Sequence, residues 1–152
     1  MGFVDKGREP ALIIPALRPL YERTAIFYYP LLRIVAGGFL LVHGWPKFNA
    51  GAAALVPFLT RIGFEPPIFW AWVLVLMETV GALCIIFGLF VRPIALAAVI
   101  EFAVIVWVHS PRGFGAAGNG WEYPAFWGLV FFVILLRGGG PYSLDRKLGR
   151  EF

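Results

Sequence analysis

The stretch Pro67-Ile-Phe-Trp-Ala-Trp-Val-Leu-Val-Leu-Met-Glu78-Thr-Val-Gly81-Ala-Leu-Cys84-Ile-Ile-Phe-Gly88-Leu89 decides the fold class. A helix of about 20 apolar residues crosses the hydrocarbon core of a bilayer, and this run is long enough to do so. Trp70 and Trp72 stand near its start, where an aromatic belt belongs, and Gly88-Leu89 close it. The rest of the chain has the same character. Of its 152 residues 60% are hydrophobic and 14% charged, with a mean hydropathy of +0.79, whereas roughly a quarter of a soluble domain is charged. This predicts an all-α integral membrane protein and leaves no basis for a soluble globular fold.

Working outward, a first span is expected from Tyr28 to about Trp45, with Pro30 near its start and His43-Gly44-Trp45-Pro46 ending it. Residues 51–63 are mildly amphipathic and too short to span, so they should form an interfacial helix between helices one and two. Helix three should run from Pro93 to about His109, and helix four from about Trp121 to Leu136, stopped by Arg137-Gly-Gly-Gly-Pro141. Residues 111–120 read as a glycine-rich connector or lid, and Tyr142 to Phe152 as a charged tail. Residues 1–27 interleave charges with Pro10, Pro15 and Pro19 and hold no apolar core, so no secretory signal is expected. The organisation predicted is a cytoplasmic N-terminal segment (1–27), a four-transmembrane-helix bundle (28–146) and a cytoplasmic tail (147–152).

Orientation follows from the cations. Lys6, Arg8, Arg18, Arg23, Arg92, Arg137, Arg146, Lys147 and Arg150 fall on one side, and Lys47, Arg61 and Arg112 on the other. The positive-inside rule makes the richer side cytoplasmic, with both termini there. His43, Lys47, His109 and Glu122 then line a periplasmic mouth. The net charge of +4 points in so apolar a chain to anionic lipid head groups, not nucleic acid. The single cysteine, Cys84, excludes an internal disulfide and a dithiol relay of the vitamin K epoxide reductase kind. Gly37, Gly38, Gly81, Ala82, Ala95, Ala97 and Ala98 are small residues of the kind that lets membrane helices approach closely.

The informative residues are those that membrane energetics should have removed. Glu78 is 11 positions from both Pro67 and Leu89, and Glu101 is 8 from both Pro93 and His109. A carboxyl at such depth costs at least about 2.5–3.5 kcal/mol unless it is paired, protonated or wet. The short connection Phe90-Val91-Arg92 nearly forces an antiparallel pair, which sets both glutamates at one depth, where one of them is expected to keep its proton. Arg33 lies about 7.5 Å inside helix one and could snorkel outward or reach the glutamates. Arg33, Glu78 and Glu101 form the candidate polar pocket: either an ion pair fixing helix register or a centre for protons, an ion or a quinone head group.

His43 and His109 end helices one and three at similar depth, which makes bis-imidazole haem ligation conceivable. A histidine at a helix end more often hydrogen-bonds at the interface, so haem is not expected. No metal is expected either, because the Glu-x-x-His pairs of di-metal bundles do not occur. Hydrolase and kinase signatures are absent, and the glycine loop lacks the strand and Lys-Ser/Thr of a phosphate cradle.

In order along the chain stand Arg33 with Gly37 and Leu40-Leu-Val-His-Gly44-Trp-Pro-Lys47-Phe48; Arg61-Ile-Gly63; Glu78-Thr-Val-Gly81-Ala with Gly88-Leu-Phe-Val-Arg92; Gly120-Trp-Glu122-Tyr; and Gly140-Pro141-Tyr142-Ser143-Leu144-Asp145. This series, covering about residues 28–146, resembles the DoxX-like family of small membrane proteins. The resemblance implies a four-helix bundle in the bacterial cytoplasmic membrane, associated with oxidoreductases. The family name comes from a quinone-linked thiosulfate-oxidising complex, and other members are linked to membrane redox-defence complexes. Arg33, His43, Lys47, Glu78, Glu122 and Asp145 match the family pattern; Glu101 is singled out on physical grounds alone. The function expected is a small membrane subunit supporting quinone-linked redox or proton transfer in a larger complex. It would have no cofactor of its own, and quinone is the candidate ligand. The alternatives are an assembly subunit without chemistry, or a small proton-coupled transporter or channel, the latter disfavoured because no inverted repeat is evident.

Overall fold

The computed structural model describes residues 11–151, which form helices and connecting turns with no strand among them. The first ten residues of the expected N-terminal segment, and Phe152 of the tail, lie outside the described residues. In chain order the α-helices are α1 (Arg18–Thr24), α2 (Tyr28–Ala50), α3 (Val56–Arg61), α4 (Pro67–Leu76), α5 (Ala82–Phe87), α6 (Val91–His109), α7 (Glu122–Arg137) and α8 (Leu144–Leu148). A π-helical turn, Met77–Gly81, joins α4 to α5, so Pro67–Phe87 is one continuous rod. Among the described residues, three stretches are long and apolar enough to cross a membrane: Pro15–Ala50, Pro67–Phe87 and Val91–Arg112.

Several small residues point inward and many large apolar ones outward, an arrangement that lets membrane helices pack closely while bulky side chains meet lipid. Ala36, Ala82, Ala95 and Ala98 are buried with Leu40, Ile85, Val91, Phe131 and Ile134 in one cluster. Phe39, Val80, Phe87, Ile100 and Leu129 are exposed. A Cβ on Gly37 would fall 2.8 Å from the Ala82 carbonyl oxygen, so this glycine sets the distance between α2 and α5. Gly38 has nothing within 4 Å and Ala97 is exposed, so neither takes the packing role that composition suggested. The 3-10 turn Ala52–Leu55 and α3 fold back on α4 around Ala52, Leu59, Ala71 and Val75.

Several boundaries differ from expectation for identifiable reasons. Helix one does not stop at Trp45: α2 runs through Pro46 to Ala50 and is ended by Gly51 at φ +82°. The Gly44-Trp-Pro46 signal misleads because Gly44 is a packing residue buried against α4–α5, not a terminator. Within the expected N-terminal segment, 3-10 and α turns from Pro15 continue into α2. The loop after α6 folds on itself through Gly120 N–H to Gly115 O (3.1 Å) and Trp121 N–H to Gly113 O (3.2 Å). The charged tail is built into the fold: Ser143 caps α8, and Ser143 and Asp145 are buried.

Candidate functional site

The polar centre starts from a local irregularity. One extra residue in the π-helical turn Met77–Gly81 changes the direction in which the following side chains leave the helix, and such turns gather at functional positions. The Thr79 hydroxyl donates to the Val75 carbonyl at 2.6 Å within this distorted stretch. The turn buries the Glu78 side chain, which is 3% exposed. Close contact with α2 is possible because residue 44 is glycine: a Cβ there would lie 2.4 Å from the Glu78 carbonyl oxygen and 2.6 Å from its Cβ.

Lys47 follows Gly44 by three residues, nearly one helical turn, and so lies on the same face of α2. Its side chain leans toward the helix N-terminus, as helical side chains do, and Nζ donates to Glu78 Oε1 in an ion pair. Lys47 is 31% exposed where Glu78 is sealed, so the lysine stands between the carboxyl and the outside.

Glu101 approaches from α6, close enough for its carboxyl to feel the charges of both Glu78 and Lys47. Two ionised carboxylates have no donor to offer each other. Accordingly Glu78 Oε2 and both Glu101 oxygens are buried without a donor among the described residues. One proton between the carboxyls repairs most of this: a protonated carboxyl donates to its ionised neighbour, which accounts for two of the three oxygens and leaves one as an acceptor. With Lys47 charged, that single proton also makes the trio electrically neutral, the state a low-dielectric interior favours.

The expected grouping of Arg33 with the glutamates is not what the structure has. Arg33 is 1% exposed; its guanidinium donates to the Gly139 carbonyl and, at 2.9 Å, to that of Tyr142. Gly88, at φ +74°, admits it, because a Cβ there would fall 2.7 Å from Arg33 Nη1. The Tyr29 hydroxyl donates to the Gly138 carbonyl, and the Asp145 carboxylate accepts from Phe90 N–H (2.8 Å) and Val91 N–H (2.9 Å). Asp145 thus caps α6 from 54 residues away, a job the local residue Phe90 cannot do. This second polar cluster ties the start of α2, the α5–α6 turn and the segment after α7 together. It anchors helices and leaves one donor, Arg33 Nε, buried without a partner among the described residues, where the Lys47–Glu78–Glu101 trio leaves three acceptors.

His43 is exposed and borders a slot of about 30 Å³ between α2, α6 and α7 with Phe39, Phe102, Tyr123 and Trp127. Glu122 starts α7. The His109 Nδ1 lies 2.8 Å from the Ile105 carbonyl oxygen, a contact within its own helix. Among the described residues no three His, Cys, Asp or Glu side chains converge as metal ligands. Sequence reasoning did not assign Lys47 to Glu78, nor recognise Tyr29 or the packing role of Gly44. The spacing of Gly44 and Lys47 on one face was the available signal.

Residues 29–110 match the DoxX family model, a span that contains Arg33, Lys47, Glu78 and Glu101. The chain belongs to the DoxX family, and it is a bacterial membrane protein. It is 28% identical over 134 residues to an uncharacterized protein of Haemophilus influenzae, covering 86% of this chain and 97% of that protein. It is also 28% identical over 124 residues to the inner membrane protein YphA of Escherichia coli, covering 77% and 87% respectively. No solved structure matches.

Proposed function

We propose that this protein is a small inner-membrane subunit that supports quinone-linked redox or proton transfer within a larger membrane complex. The observation carrying this reading is the Lys47–Glu78–Glu101 trio, with buried acceptors that want one proton and a half-exposed lysine leading outward. A group that takes and returns a proton is what reduction of a quinone requires, and the electrons would come from a partner's cofactor. The slot beside His43, Phe102 and Trp127 supports the ligand side of the reading. At about 30 Å³ it is closed to a quinone ring, so entry would require the Phe39 and Trp127 rings, 5.1 Å apart between centroids, to separate.

In this reading α7 is a fourth crossing. Its 16 residues rise about 24 Å, short of the core's roughly 30 Å, with Trp121 and Arg137 at the two interfaces. Four crossings put both termini in the cytoplasm with the larger share of Lys and Arg, and leave α3 at the periplasmic interface. The relative named as an inner membrane protein fits this location.

The test is quinone reduction by native membranes carrying the intact complex. Glu78→Gln and Glu101→Gln should each lower the rate about a hundredfold, the low end of a general acid–base contribution, while complex assembly persists. Unchanged rates in fully assembled variants would reject the reading in favour of an assembly role.

A further inference from the structure

We infer that the cleft between the end of α7 and the α8 segment binds the phosphate head group of an anionic phospholipid. This cleft, of about 390 Å³, is lined by Arg137, Arg146 and Arg150 together with Asp145 and Glu151. Both acids are already engaged: Asp145 accepts the N–H groups of Phe90 and Val91, and Glu151 accepts that of Gly139 at 2.5 Å. The three arginines are exposed.

Their placement is fixed by the backbone. The Arg150 N–H bonds to the Asp145 carbonyl and the Gly149 N–H to that of Arg146, both at 3.2 Å, with Gly149 at φ +67°. This pair of bonds is a Schellman motif, which holds Arg146 and Arg150 on a rigid helix end. The Arg137 guanidinium lies over the Tyr29 ring, 5.6 Å from its centroid, an attraction that restrains it at the edge of the cleft. Arginine pairs with phosphate through two parallel N–H bonds, and several converging on one cleft suit a phosphodiester better than a single carboxylate.

Apolar surface beside the cleft separates a lipid from a soluble phosphate. Leu144 and Leu148, four residues apart on one face of α8, and Leu136 in the last turn of α7 are all exposed. With α7 read as a fourth crossing, its end lies at the depth of lipid phosphates. A head group seated between the arginines would therefore have acyl chains running along these leucines. The inference rests on the proposed crossing of α7 and on this geometry, and is independent of the carboxyl site.

The experiment is native mass spectrometry of the full chain in detergent, titrated with phosphatidylglycerol or phosphatidylcholine, with inorganic phosphate as competitor. Each arginine near an anionic lipid is expected to contribute about fivefold. The wild type should prefer phosphatidylglycerol at least about tenfold, the double variant Arg146→Gln/Arg150→Gln should lose that preference, and inorganic phosphate should not displace the lipid. Equal binding of the two lipids, or a preference that survives in the double variant, would overturn the inference. Complete displacement by inorganic phosphate would overturn it too, leaving a site for soluble anions. Because the substituted side chains are exposed, an unchanged melting temperature will show that the double variant is folded.

Discussion

Gly44→Val should prevent α2 from seating against the π-helical turn and should sharply lower both the yield and the melting temperature of the protein. A Cβ at this position falls 2.4 Å from the Glu78 carbonyl oxygen and 2.6 Å from its carbonyl carbon, so the obstacle is backbone that no rotamer change can move. Overpacking usually costs about 1–3 kcal/mol when side chains can yield; here the helices themselves must part, and a cost of at least about 3 kcal/mol is expected. Separation would also pull Lys47 from Glu78 and leave a buried carboxylate without its cation. Gly38→Val is the internal control, because nothing lies within 4 Å of a Cβ there. Its melting temperature should stay near that of the wild type, and an equal drop in both variants would show that glycine as such, not the contact with Glu78, matters.

The second large effect is expected at Asp145→Ala. The carboxylate accepts two N–H groups at the start of α6, where Phe90 is held in the left-handed region at φ +49°. Removing it leaves both donors unpaired, at about 1–3 kcal/mol each, and deprives the buried Arg33 of its nearby negative charge. The sum, about 2–6 kcal/mol, is comparable with the whole stability of many domains. Asp145→Asn should recover only part, since an amide supplies one acceptor where two donors need one each. Thermal unfolding in detergent will rank the proteins as wild type, Asn, then Ala. Equal stability of wild type and Asn would show that one of the two bonds contributes nothing.

The all-helical membrane character and the approximate place of the long apolar helices were legible because hydropathy and length largely determine them, as the run Pro67–Leu89 illustrates. The shared depth of Glu78 and Glu101 could be counted from helix ends and a three-residue connection. Which cation meets them could not be counted, because that depends on where α2 ends. Gly44 and Pro46 carry the local signature of a helix stop, but Gly44 is needed for its small volume and the helix continues to Ala50. Ending the helix at Trp45 moved Lys47 to the surface and left Arg33 as the nearest cation. Arg33 meanwhile bonds to carbonyls 106 and 109 residues away, after α7. Contacts over that separation depend on the three-dimensional course of Gly138–Tyr142, where glycines at positive φ turn the chain back on itself. The role of Asp145 was hidden for the same reason, since a helix cap is ordinarily sought within a few residues of the helix start.

The proposed proton-exchanging site requires that Glu78 and Glu101 share one proton beside a charged Lys47. Infrared difference spectra between wild type and Glu101→Gln, recorded at neutral pH in lipid, test it directly through the carbonyl stretch of a protonated carboxylic acid. The wild type should carry such a band and the variant should lack it, with Glu78 left as a carboxylate paired to lysine. If the spectra instead match in that region and differ only by a lost carboxylate band, both acids are ionised and the shared-proton centre does not exist.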